Sequence, residues 1–303
     1  MSKQKVLAIV GPTGIGKTSL SVQLAKQFNG EIISCDSMQV YRKMDVGTAK
    51  VTPEEMEGIP HYLIDVQDID EDYNVKIFQE KCRASIDTIV KKGKFPILCG
   101  GTGLYLKAAL YDYTFDEEEE DSEYTSYLQS LSNEELYEML KKEDEKALEK
   151  IHPNNRQRLI RALQIAHTGQ TKSAREESQK HEPLYDVYFL GLDMDRSLLH
   201  ERINKRVDIM FENGLVKEVE ALFSNPETWN YNSFMGIGYK EFKAYFLKEK
   251  TIEEVKTQIQ TNSRRYAKKQ YTWFKNQMDV HWFERTDPTI SQQVQDWLGS
   301  ESK

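Results

Sequence analysis

Eight residues near the N-terminus, Gly11-Pro12-Thr13-Gly14-Ile15-Gly16-Lys17-Thr18, limit the possible folds more than any other stretch. They form G-x-x-x-x-G-K-[ST], preceded by the apolar run Val6 to Val10 and followed by a helix-like segment from Ser19 to Ala25. Strand, glycine turn and helix are the setting in which this motif holds phosphate. The glycines let successive N–H groups turn inward, and the helix N-terminus adds partial positive charge. Lys17 supplies a compact cation and Thr18 a hydroxyl suited to Mg²⁺. The alternative is a plain glycine turn between strand and helix. In its setting the motif points to a di- or triphosphate, without deciding whether that group is hydrolysed, transferred or expelled.

At 303 residues, with 39% apolar and 30% charged residues, the chain suits one large or two modest globular domains. Mean hydropathy is -0.67 and no apolar run approaches membrane-spanning length. The five-residue run at Val6 feeds the phosphate loop and does not read as a signal peptide. Three cysteines (Cys35, Cys82 and Cys99) without metal-ligand spacing fit a reducing cytoplasm. The net charge of -8 argues against nucleic acid as a partner, yet the block Asp116 to Asp121 holds six of the acids. Setting those six aside leaves -2; the block itself reads as a solvated loop.

Along the chain, Glu31 to Cys35 has strand character and ends in Asp36-Ser37. Ligands in open α/β sheets sit at the carboxyl ends of strands, so Asp36 falls beside the phosphate loop if this strand neighbours the first. It could serve as Mg²⁺ ligand, general base or helix N-cap. His61 to Val66 reads as a further extended segment, with Asp65 a weaker candidate for a metal-holding aspartate. A helix is expected over Val75–Lys92, then the strand Phe95 to Cys99 and a second glycine turn, Gly100-Gly101-Thr102-Gly103. A motor ATPase would place acids at that strand end. Residues 113–183 change character and read as a mostly helical insertion in a core formed by 1–112 and 184–303. A helix from Asn154 to His167 carries Arg156, Arg158 and Arg161, either a solvated face or a phosphate grip. In the helix from Arg196 to Asn213, Arg206 lies at the edge of the apolar stripe, as a snorkelling side chain or an anion clamp. A capping box at Thr251 opens the last long helix. Its projection puts Ile252, Val255, Ile259, Tyr266, Trp273 and Phe274 on one side. Arg264, Arg265, Lys268, Lys269 and Lys275 lie on the other, with Tyr271 beside them. That basic stripe is either a solvated surface or a nucleic-acid contact.

The phosphate loop, Asp36 to Tyr41 with Asp45 to Lys50, and Gly100 to Tyr105 closely resemble the tRNA dimethylallyltransferase family, the isopentenylpyrophosphate transferases. Arg156 to Leu163, Arg202 to Gly214, Gly236 to Tyr239 and Arg264 to Trp273 match the same family, in its order. The resemblance implies a P-loop NTPase-like α/β core, its parallel sheet flanked by helices, with a helical insertion gripping the anticodon stem. It implies transfer of a dimethylallyl group from dimethylallyl diphosphate to N6 of adenosine 37, in tRNAs reading codons that begin with U. Gly11, Pro12, Thr13, Gly14, Ile15, Gly16, Lys17 and Thr18 would hold the diphosphate, Thr18 with Mg²⁺. Arg206 would be a second clamp, Asp36 would take a hydrogen bond or proton from N6, and Thr102 would sit near the reacting groups. Contacts with tRNA would come from Asp36, Ser37, Met38 and Gln39; Gln157, Arg158, Leu159, Ile160 and Arg161; Gly236, Gly238, Tyr239 and Lys240; and Arg264, Arg265, Lys268, Lys269 and Tyr271. The tail beyond Trp282-Phe283 has no Cys–His set, which fits the bacterial form. The expectation is a cytoplasmic monomer that binds no membrane. ATP would be at most an incidental visitor to the loop. An ATP-dependent small-molecule kinase explains the loop but not the basic helix. A nucleotide-gated RNA-binding protein without chemistry explains the helix but leaves Asp36 idle.

Overall fold

The computed structural model describes residues 3–115, 121–178 and 181–301. In chain order the elements begin β1 (Lys5–Val10), α1 (Lys17–Gln27), β2 (Gly30–Ser34), α2 (Pro53–Met56), β3 (His61–Tyr62) and α3 (Val75–Lys91). There follow β4 (Phe95–Gly100), α4 (Gly103–Leu110), α5 (Ser122–Ser130), α6 (Asn133–Glu143), α7 (Arg156–His167) and α8 (Lys172–Ser178). The chain continues with β5 (Asp186–Asp193), α9 (Arg196–Glu212), α10 (Leu215–Phe223), α11 (Phe242–Phe246), α12 (Ile252–Gln277), β6 (His281–Glu284) and α13 (Ile290–Gly299).

The six strands form one sheet in the order β3-β2-β4-β1-β5-β6, every pair parallel. β1 is buried on both faces, as a central parallel strand requires. Its residues alternate between two cores. Val6, Ala8 and Val10 pack in the cluster that holds Phe78, Leu98 and Phe274; Leu7 and Ile9 pack with Leu24, Leu190 and Val294. The condition set above for Asp36, that β2 neighbours β1, is not met. Instead β4 lies between them, pairing Leu98 with Ala8 on one side and with Ile33 on the other. Both β2 and β4 lie on one side of β1 and β5 on the other, so the topological switch point falls at the carboxyl end of β1, where the phosphate loop begins.

The chain separates into two compact units, Met1–Tyr111 with Pro183–Lys303, and Asp112–Glu182. The second is helical and has its own core, built on Leu128, Leu136, Leu140, Leu159 and Leu163. The acidic block lies outside the described residues except for Asp121, whose carboxylate caps α5 by accepting from Tyr124 N at 2.8 Å. The strand expected over His61 to Val66 stops at Tyr62. Asp65 lies in a left-handed backbone conformation (φ 55°) and is ion-paired to Lys50 at 2.6 Å, not poised at a strand end for a metal.

Candidate active site

The phosphate loop curls where the motif demands. Gly14 and Gly16 have φ of 81° and 103°, values that side-chain-bearing residues rarely adopt. Ile15 points into the core, so it contributes backbone only. Lys17 Nζ donates to the carbonyls of Gly11 and Pro12, both at 2.9 Å, and so rests on its own loop. Enclosure of this ammonium pulls its pKa down to about 8, against the attraction of Asp36. Thr13 N donates to Gln270 Oε1 at 2.9 Å, and Gln270 Nε2 donates to Gly101 O at 3.0 Å. A buried glutamine of α12 therefore ties the phosphate loop to the second glycine turn.

Two cavities open here. The larger, about 590 Å³, is lined by the phosphate loop, Ser34, Gln39, Gly100, Gly101, Arg202 and Lys205. The smaller, about 300 Å³, is lined by Ser37, Met38, Thr48, Met210, Met235, Gly236 and Lys240. Four residues line both: Thr13, Asp36, Arg206 and Tyr266. Arg206 does not snorkel to solvent. Its guanidinium is enclosed, donating to Thr13 Oγ1 at 3.1 Å and to Thr48 O at 3.4 Å. Burial lowers its pKa while the charge of Asp36 acts the other way; a guanidinium stays protonated through such a shift. Asp36 Oδ1 accepts from Met38 N at 2.8 Å and Gln39 N at 3.3 Å, which fixes the carboxylate between the cavities. Although β4 separates β2 from β1, Asp36 still faces Lys17 and Arg206, because β2 and β1 end at the same edge of the sheet.

Several expected residues have other duties. Thr102 lines neither cavity; its side chain hydrogen-bonds the Tyr266 phenol, and through that ring it reaches the centre. Tyr266, expected on the apolar stripe of α12, instead turns its ring to both cavities while its hydroxyl is enclosed beside Thr102 and Gln270. Tyr239, expected to touch RNA, is fully buried, and its hydroxyl donates to Glu218 at 2.7 Å. Leu159 is likewise a core residue and Ile160 packs against that core, so among Gln157 to Arg161 the exposed side chains are Gln157, Arg158 and Arg161. Arg156 accounts for itself as a helix-end cap, donating to the carbonyls of Leu131 and Gln129 at 2.6 and 2.7 Å. Tyr271 is committed within the protein: its hydroxyl donates to Asp193 at 2.5 Å, and Lys275 stands 4.4 Å from its ring centre. Arg264 donates to Asn204 and, at 3.0 Å, to Thr261. The exposed cations of this stretch are Arg265, Lys268, Lys269 and Lys275, the last of them over the Tyr271 ring.

Among the described residues no group of three or more His, Cys, Asp or Glu side chains is placed to hold a metal ion. Thr18 lines the larger cavity, and its hydroxyl fits Mg²⁺ brought in on phosphate oxygens, since Mg²⁺ needs few protein ligands. The site placement of Gln270, Tyr266 and Lys205 escaped the sequence reading; the first two lie within the basic stretch of α12 and Lys205 stands next to Arg206 on α9.

A family model described as IPP transferase matches residues 39–277. The chain is 50% identical over 290 residues to a tRNA dimethylallyltransferase of Bacillus cytotoxicus, covering 94% of this chain and 92% of that protein. It is 50% identical over 292 residues to that of Bacillus anthracis, covering 95% and 93%. A crystal structure of the tRNA isopentenylpyrophosphate transferase of Staphylococcus epidermidis superposes with a TM-score of 0.72 at 42% identity, covering 98% of this chain and 99% of that one. A eukaryotic dimethylallyltransferase captured acting on tRNA gives 0.83 at 33% identity, covering 96% and 77%. The chain belongs to the IPP transferase family, the tRNA prenyltransferases.

Proposed function

We propose that this enzyme moves a dimethylallyl group from dimethylallyl diphosphate to the exocyclic N6 of adenosine 37 in tRNAs that read codons beginning with U. The observation that carries the assignment of roles is the wall shared by the two cavities, where Asp36 and Arg206 stand together. The diphosphate lies in the larger cavity, against the loop amides, Lys17 and Arg206. The adenine leaves its stack and enters the smaller one, as other base-modifying enzymes require.

The C1–O bond breaks and a C1–N6 bond forms. The electron pair goes to the departing diphosphate, whose growing charge meets Lys17, Arg206 and the loop N–H groups. The N6 proton goes to Asp36, held in place by the amides of Met38 and Gln39. An exocyclic amine is a weak nucleophile, so alignment with C1 carries much of the rate. Thr18 would help hold Mg²⁺, which would supply further charge neutralisation at the diphosphate. Arg265, Lys268 and Lys269 of α12 and Gln157, Arg158 and Arg161 of the insertion bind the tRNA backbone. The enzyme acts as a monomer in the cytoplasm, where its substrate is found.

The test is label transfer. Labelled dimethylallyl diphosphate and Mg²⁺ are mixed with unmodified tRNA, AMP or ATP. Label enters tRNA at N6 of adenosine 37 and does not enter the nucleotides. Label in AMP alone would assign a small-molecule acceptor, and no label in any acceptor would remove the transferase reading.

A further inference from the structure

The loop Asp45-Val46-Gly47-Thr48-Ala49 lines both cavities, yet nothing in its sequence says what holds it. Its backbone N–H groups converge on one carboxylate. Glu218 Oε2 accepts from Asp45 N at 2.8 Å and Val46 N at 2.7 Å, and Oε1 accepts from Gly47 N at 3.0 Å. Oε1 also accepts the Tyr239 hydroxyl at 2.7 Å. Three successive amides and a phenol thus surround one carboxylate, a backbone nest closed on a side chain. Burial and the charge of Glu218 push the Tyr239 phenol upward, so it stays protonated and remains a donor. Gly47 is required at the contact: a Cβ there would lie 2.5 Å from Tyr239 Cζ.

The other side of the same loop presents carbonyls. Thr48 O accepts from Arg206 Nη2 at 3.4 Å and from Gln39 Nε2 at 3.3 Å, and Ala49 O accepts from Gln39 Nε2 at 3.3 Å. Arg206 lies on α9 and Glu218 on α10, two helices joined at Gly214. One helical hairpin therefore grips the loop twice, by its amides through Glu218 and by a carbonyl through Arg206.

We infer that Glu218 is a positioning residue: by anchoring the Asp45–Gly47 amides it sets the Thr48 carbonyl that orients the Arg206 guanidinium toward the diphosphate. The inference rests on the diphosphate role proposed for Arg206. A glutamine at 218 keeps the shape but offers one acceptor oxygen and turns an N–H group toward amides that also donate.

The test is a double-mutant cycle on the affinity for inorganic diphosphate with Mg²⁺, read by calorimetry and backed by kcat and KM for dimethylallyl diphosphate. Glu218→Gln weakens diphosphate binding about 10-fold in the wild-type background, the scale of one charge-assisted hydrogen bond. In an Arg206→Ala background it costs less than about 3-fold, because its effect acts through that side chain. Tyr239→Phe, which keeps the ring and removes one donor, shows the same dependence at about 3-fold, and serves if Glu218→Gln does not fold. Equal cost in both backgrounds would overturn the inference and leave Glu218 a loop anchor alone. If Arg206→Ala by itself left diphosphate affinity intact, the proposed role of Arg206 would fail first, a distinguishable result.

Discussion

The larger cavity is lined by four side-chain cations, Lys17, Arg202, Lys205 and Arg206; the smaller adds only Lys240 to the shared Arg206 and is lined by Met38, Met210 and Met235. The first environment suits a compact polyanion, held by charge and by backbone N–H groups. The second suits a flat, weakly polar body, since thioethers are polarizable and adapt to a ring face. The difference teaches how one site handles two dissimilar substrates. On the proposed assignment each is recognised by its own chemistry, and the two would meet where Asp36, Arg206, Thr13 and Tyr266 line both spaces.

Substitutions on the shared wall should strike hardest. Asp36→Ala lowers kcat by about 10²–10⁴-fold, the range for lost acid–base catalysis, with diphosphate affinity little changed. Turnover near wild type in that variant would remove Asp36 from the chemistry.

On the charged side, Lys17→Ala raises KM for dimethylallyl diphosphate by roughly 100-fold, the cost of losing one enclosed charge-assisted contact, and leaves KM for tRNA unchanged. The same lysine gives a pH signature. With its pKa drawn down to about 8 by burial, Lys17 is a cation below that pH and neutral above it. kcat/KM for the donor, which reports the free enzyme, therefore falls as pH rises through about 8, approaching tenfold per unit. Lys17→Ala loses that limb. A limb that persists unchanged in the variant would assign it to another group.

The thioether side should answer to the other substrate. Met38→Ala with Met235→Ala raises KM for tRNA by about 5-fold, from lost apolar contact, and spares KM for the donor. A rise in donor KM instead would reverse the assignment of the cavities. The smallest effect lies outside both: Lys268→Ala with Lys269→Ala weakens tRNA binding a few-fold and flattens its salt dependence by about two phosphate contacts. An unchanged salt slope would take α12 off the RNA path.

The phosphate loop was legible because its physics is local: strand, glycines, lysine and helix are contiguous. Capping boxes at Ser132 and Thr251 were legible for the same reason and form as the spacing requires. What escaped depends on tertiary placement. Gln270 meets Thr13 across 257 residues of chain, and Glu218 meets Gly47 across 171. No local pattern encodes either contact. Tyr266 and Tyr271 show the limit of helical projection. It separates two faces of α12, but not which aromatic will find Asp193 and Lys275 and which will face the cavities. The order of β1, β4 and β2 was also beyond the sequence, since all three are short apolar runs of similar character.

Product inhibition tests the two-cavity account most directly. Inorganic diphosphate should compete with dimethylallyl diphosphate and should not compete with tRNA, because the two substrates occupy separate spaces. Competition with tRNA, cleared by raising tRNA alone, would contradict the account by placing both ligands in one cavity.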